Sequence, residues 1–217
     1  MSRLIKKDNF IWLTLALIAT LVAGALTEEY PGVFALHLTE FANVLFLLVA
    51  LFSLRKDETW LTGLLIVVGG MMVSSVIRQT TDWPGADTAY LIFLLTFYIS
   101  AIRLVGREVL LTGSVDLNKV IGSIALYFLL GLLFSVMFTL LLQFSPDALK
   151  GLEIIDPVNQ ISSTNYFSFV TLTTLGYGDI SPITPLARVL VILESVSGMF
   201  YLALIVASLV GSMQRPN

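Results

Sequence analysis

The sequence predicts an all-α integral membrane protein with six transmembrane helices and a re-entrant segment between the fifth and sixth. Three observations carry that reading. The chain is 57% apolar and 12% charged, against ~45–50% and ~25% in soluble domains. Its apolar residues gather into six stretches, each close to the ~20 residues that a helix needs to cross a bilayer. Between the last two lies a glycine-containing stretch, and non-helical backbone at membrane depth is tolerated only inside protein or against a water-filled cavity.

The spans are read as 10–26, 32–54, 60–77, 88–105, 120–144 and 186–212. Arg3, Lys6 and Lys7 before the first span, and Ala23-Gly24-Ala25 at its end, also fit a secretory signal with a small-residue cleavage site. The stretch is kept as the first span. Positive loops favour the cytoplasm. Those three residues, with Arg55, Lys56, Arg103, Arg107, Lys119 and Arg215, fall on one side if both termini are cytoplasmic. The other side holds Arg78, Lys150 and Arg188 among eight acids: Glu28, Glu29, Asp82, Asp87, Asp147, Glu153, Asp156 and Asp179. The expectation is a multi-pass protein of the cell inner (plasma) membrane.

Composition excludes several classes. The chain has no cysteine, so it has no disulfide or thiolate metal site. No basic, aromatic-interleaved patch suggests nucleic acid. No nucleophile–base constellation suggests an enzyme, and no small-molecule substrate or cofactor is indicated. The chain divides into a four-helix domain, 1–112, and a helix–re-entrant loop–helix domain, 113–217. It ends soon after the sixth span, so no cytoplasmic ligand-binding module is expected.

Residues 171–179 read T-L-T-T-L-G-Y-G-D. A dehydrated cation needs oxygens in place of its lost water. Backbone carbonyls supply them if successive residues aim them at one axis, which favours glycine because it tolerates φ > 0. Gly176 and Gly178 meet that need, and Thr174 can add a hydroxyl. The preceding segment, 162–173, reads as a short helix whose C-terminal partial negative charge favours a cation. Ser162, Ser163 and Thr164 offer N-caps.

The run Thr174-Leu175-Gly176-Tyr177-Gly178 resembles the selectivity filter of potassium channels. The resemblance extends over about 120–211, and its short length is like that of prokaryotic potassium channels of the pore-loop superfamily. It implies a pore helix and selectivity filter, potassium as the permeant ion at those five residues, and four chains around one pore. It also implies that Tyr166 bonds Asp179 and that Thr171 bonds the Tyr177 hydroxyl. Gly198 stands where the family often has a hinge glycine, with close helix packing as the alternative. In the family register Met199, Leu202, Val206 and Val210 line the inner cavity. The chain departs from the commonest pattern in three places. Leu175 replaces valine, Phe167 offers no polar donor behind the filter, and Val170 replaces a buried acid of some relatives.

Glu194 lies one turn before Gly198, and an intramembrane acid is a functional candidate by default. It either braces the pore helix, protonated or hydrogen-bonded, or senses protons. The fourth span, 88–105, has no arginine ladder; Arg103 and Arg107 stand at its cytoplasmic end as anchors. Each charge moved through the field is worth ~2.3 kcal/mol per 100 mV, so voltage has little to act on. His37, Glu40 and Asn43 line one face of the second span, with Arg78 as a candidate partner for Glu40. Structural pairing and proton sensing are both open for His37 and Glu40.

The expected function is passive, potassium-selective conduction by a homotetramer, weakly or not voltage-gated. The alternatives are a non-conducting or regulatory membrane subunit that keeps the pore fold, and a transporter component. The latter would carry four related loops in one chain, and this chain has one.

Overall fold

The computed structural model describes residues 9–30, 46, 49, 58–81, 83, 85–111, 117–152 and 161–213. Five long helices dominate: α1 (Asn9–Glu29), α2 (Glu58–Thr80), α3 (Gly85–Leu111), α4 (Leu117–Phe144) and α6 (Pro185–Met213). All five are long and apolar enough to cross a membrane. The short α5 (Ile161–Leu172) stands between α4 and α6. The second predicted span lies outside the described residues except for Phe46 and Val49, and His37, Glu40 and Asn43 lie outside them altogether.

One feature was not expected from an all-α reading. A 3-10 turn (Pro146–Ala148) leads into β1 (Leu149–Lys150), which pairs antiparallel with β2 (Ser181–Pro182). The pairing sets Leu149 opposite Pro182 and Lys150 opposite Ser181. Such two-residue strands carry no periodic signal for sequence to show.

The helices pack in a chain of neighbours. α2 lies on α3, α3 on α4, and α4 against α1, α5 and α6. One core joins Leu13 and Leu17 of α1, Leu91 and Phe97 of α3, and Leu129 and Val136 of α4. The first helix is thus packed directly onto the C-terminal half. Phe46 is buried there, its ring edge-on to Phe97 at 5.4 Å. A smaller core gathers Phe134, Phe138, Leu149, Phe167 and Ala187, with Phe167 edge-on to Phe138 at 4.9 Å.

Arg78, suggested above as a partner of Glu40, pairs with Asp87 across the α2–α3 junction, Nε to Oδ1 3.7 Å, and lies 5.6 Å from the Tyr90 ring centre. A short connection brings the two helix ends together and so sets Asp87 beside Arg78.

Lipid tails are as apolar as leucine, so helices in a bilayer associate through close packing and polar contacts. Glycines provide that closeness at several crossings, and two of them seat α5. A Cβ on Gly131 of α4 would lie 2.7 Å from the Phe169 ring, so α5 crosses α4 tightly there. A Cβ on Gly198 of α6 would collide with the backbone carbonyl oxygen of Leu172, at the end of α5. Helix α6 runs unbroken through this point. Gly198 therefore makes a packing contact, whatever part it has in motion. Gly198→Ala should force α6 away from α5 and cost about 1–3 kcal/mol by overpacking. Thermal unfolding of the detergent-purified protein should show a lowered midpoint. A purely hinge role predicts an unchanged midpoint with altered conduction.

Candidate functional site

Helix α5 positions the site, and its own sequence explains how it is seated. Thr164, Ser168 and Thr171 recur at i, i+4 and i+7, which places them on one helical face, and all three are buried. The Thr164 hydroxyl meets those of Thr139 (2.7 Å) and Ser135 (3.0 Å) on α4 and donates to the Ile161 carbonyl at 2.9 Å. The Ser168 hydroxyl contacts the Gly131 carbonyl oxygen at 2.6 Å and the Glu194 carboxyl. α5 starts at Ile161, so Ser162, Ser163 and Thr164 lie within its first turn rather than before it. The Ser163 and Thr164 hydroxyls consequently serve tertiary contacts instead of the expected caps: Ser163 donates to Glu28 at the end of α1, at 2.5 Å.

The end of α5 makes the site. The Thr174 amide returns to the Thr171 carbonyl (2.9 Å), and the Leu175 amide to that of Val170 (3.0 Å). This is a Schellman closure, which requires a left-handed residue after the helix and usually takes glycine there. Here the residue is Thr174, with φ 59°. A non-glycine residue in that region costs about 1–2 kcal/mol, which two hydrogen bonds of ~0.5–1.5 kcal/mol each can offset. Sequence reasoning assigned positive φ to the glycines alone and missed this position, because threonine carries no signal for it.

Beyond the closure the backbone alternates. Thr174, Gly176 and Gly178 have φ of 59°, 58° and 81°, while Leu175 and Tyr177 between them stay on the ordinary side. The amides of Thr174, Leu175 and Gly176 turn back to α5. The carbonyl oxygens of Thr174, Leu175, Gly176 and Tyr177 accept no hydrogen bond from any described residue. Donors on one side and free oxygens on the other make a row of ligands suited to a cation. The segment 173–179 is exposed in the single chain, with Leu175 56% and Tyr177 67% accessible. Among the described residues no cluster of histidine, cysteine or acid offers another metal site.

The far end of the segment is tied down. The Tyr166 hydroxyl donates to Asp179 Oδ2 at 2.6 Å, and the Ile180 amide to Asp179 Oδ1 at 3.0 Å. The Tyr166 hydroxyl foremost, and then that amide, hold the Asp179 carboxyl below the usual carboxylate range. The Ile183 amide reaches the Ala148 carbonyl at 2.9 Å, next to the β1–β2 pair.

Other sequence-predicted residues fall as follows. Thr171 is buried, and among the described residues of the single chain no hydrogen bond joins it to Tyr177. Phe167 fills the small core in place of a polar donor. Met199 and Leu202 are 55% and 51% exposed on α6; the side chains of Val206 and Val210 lie outside the described residues. Glu194 is fully buried against α5. Arg103 and Arg107 are exposed on the last turns of α3.

Comparison with curated proteins and with solved structures found no match. Residues 124–215 match the family described as ion channel. That segment takes in most of α4, all of α5, the alternating strand and α6, less than half of the chain, and its likeness to the ion channel family supports an ion-conducting role for the site built there.

Proposed function

We propose that the chain is one of four identical subunits of a potassium-selective channel that conducts passively across the plasma membrane. The observation that carries this reading is the row of unbonded carbonyl oxygens on a backbone of alternating φ, set at the end of a short helix. Free carbonyls at membrane depth are tolerable only against a polar occupant, and a cation is the occupant whose charge they match. One chain contributes one such row and leaves it exposed, so the surrounding ligands come from further copies. The role is transport rather than catalysis. Loop charges favour cytoplasmic termini, which turns the Tyr177 end of the filter outward. The fourth predicted span carries no charge ladder, so voltage dependence is weak.

Recording of purified protein in a planar bilayer under a potassium gradient tests selectivity. The reversal potential should follow potassium and ignore sodium, with a shallow conductance–voltage relation. Equal permeability to the two ions would remove the potassium assignment. Gly178→Ala, which forces a Cβ onto a residue at φ 81°, should abolish selectivity.

Mass measurement of the detergent complex should give four copies. A conducting monomer or dimer would refute the assembly.

Acidity tests the outer tie. A depressed carboxylate contributes stability that is complete above its ordinary pKa, ~3.9, and is lost as pH falls through the depressed value. Currents should therefore hold from neutral pH down to about 4 and fall only below it. Acid should act from the external side. Tyr166→Phe removes the chief cause of the depression and should move the loss upward in pH. An unchanged acid profile in that variant would show that the Tyr166–Asp179 bond does not support the filter.

A further inference from the structure

The contacts around Ser168 raise a question of hydrogen count. Its hydroxyl oxygen lies within bonding distance of two acceptors, the Gly131 carbonyl oxygen on α4 and Glu194 Oε1 on α6. A serine hydroxyl has one hydrogen to give. If Glu194 were ionised, one of the two short contacts would set lone pair against lone pair. Two hydrogens satisfy both contacts, and the second can come only from Glu194. Its other oxygen, Oε2, is buried without a partner among the described residues, and an ionised carboxylate with an unpaired oxygen in an apolar interior is far costlier than a neutral acid.

The described part of the three helices that meet here supplies no positive charge close to Glu194. Helices α4, α5 and α6 carry only two other charged side chains, Lys119 and Arg188. Arg188 lies six residues from Glu194, ~9 Å along α6, and Lys119 twelve residues from Gly131, ~18 Å along α4, at the helical rise of ~1.5 Å per residue. The titratable side chain in electrostatic reach is the phenol of Tyr127 on α4, whose hydroxyl donates to the Leu172 carbonyl at 3.2 Å. Glu28, on the end of α1, is engaged by Ser163 instead.

We propose that Glu194 is held as the neutral carboxylic acid and serves as a positioning residue for the filter. It donates its proton to Ser168, and Ser168 donates its own to Gly131. This relay bolts α6, α5 and α4 together within two turns of the Schellman closure. Removal of the proton leaves Ser168 with two acceptors and one hydrogen, and the bolt opens.

Infrared spectroscopy of the reconstituted full-length protein tests the protonation state directly. At neutral pH the wild type should show the carbonyl stretch of a neutral carboxylic acid, and Glu194→Gln should lack it. No difference between the two in that region would overturn the proposal. The positioning role is tested by conductance, which rests on the channel reading; the infrared result does not, so the two can fail separately. Glu194→Gln keeps a neutral donor and should conduct like the wild type, whereas Glu194→Ala should lose roughly tenfold or more, as for a buried hydrogen bond broken on one side. Under alkaline titration, wild-type current should fall in the range where the infrared band vanishes, and the Glu194→Gln current should not. Conduction that survives loss of the band would remove the positioning role, as would inactivity of a folded, assembled Glu194→Gln protein.

Discussion

The structure depends on how α5 ends. Its last carbonyls must be closed by the amides that follow, and the Schellman closure does this with Thr174 in the left-handed region. The amides of Thr174, Leu175 and Gly176 are spent on α5, and the carbonyls of the same residues have no donor among the described residues. The peptide units whose amides belong to Thr174, Leu175 and Gly176 carry the carbonyls of Thr173, Thr174 and Leu175, so planarity turns those oxygens away from α5. The ligand row is thus a consequence of helix termination, and the rest of the C-terminal half holds that termination in place.

That holding is mostly polar and small, which suits a bilayer. Apolar burial does little to bring helices together in lipid, so the buried hydroxyls of Thr164 and Ser168 and the bare surfaces of Gly131 and Gly198 matter more than the leucines around them. Helix α1 joins the same scheme through Glu28 and Ser163. Its packing along α4 means that the first half of the chain reaches α5 directly, although sequence alone suggests two separable halves.

Five of the six predicted spans were legible, because length and apolarity are properties of the sequence itself. The site was legible at Gly176 and Gly178, where positive φ has a residue type to announce it, and at Tyr166 and Asp179, through resemblance. Thr174 was not, since its conformation is imposed by the helix end rather than preferred by threonine. The stripe of Thr164, Ser168 and Thr171 was readable as helical spacing but not as an anchor, because its partners on α4 and α6 lie 25 to 37 residues away in the chain. Glu194 was recognised as an acid out of place, yet the hydrogen count that defines its state needs the positions of Ser168 and Gly131. Arg78 pairs with Asp87 across a short connection, while Glu40, its candidate partner from sequence, lies outside the described residues.

The two faces of α5 carry different work. Tyr166 and Ser168 are two residues apart, which is ~200° around a helix, so they point to opposite sides. Tyr166, 41% exposed, grips the far end of the ligand row through Asp179. Ser168, fully buried, grips the scaffold through Gly131 and Glu194. A displacement of α6 or α4 is therefore transmitted through one rigid turn to the strand that bears the carbonyls. The tie on the exposed side is open to solvent and its ions, and the tie on the buried side is sealed from them. The same short helix thus meets solvent at one face and the packed long helices at the other.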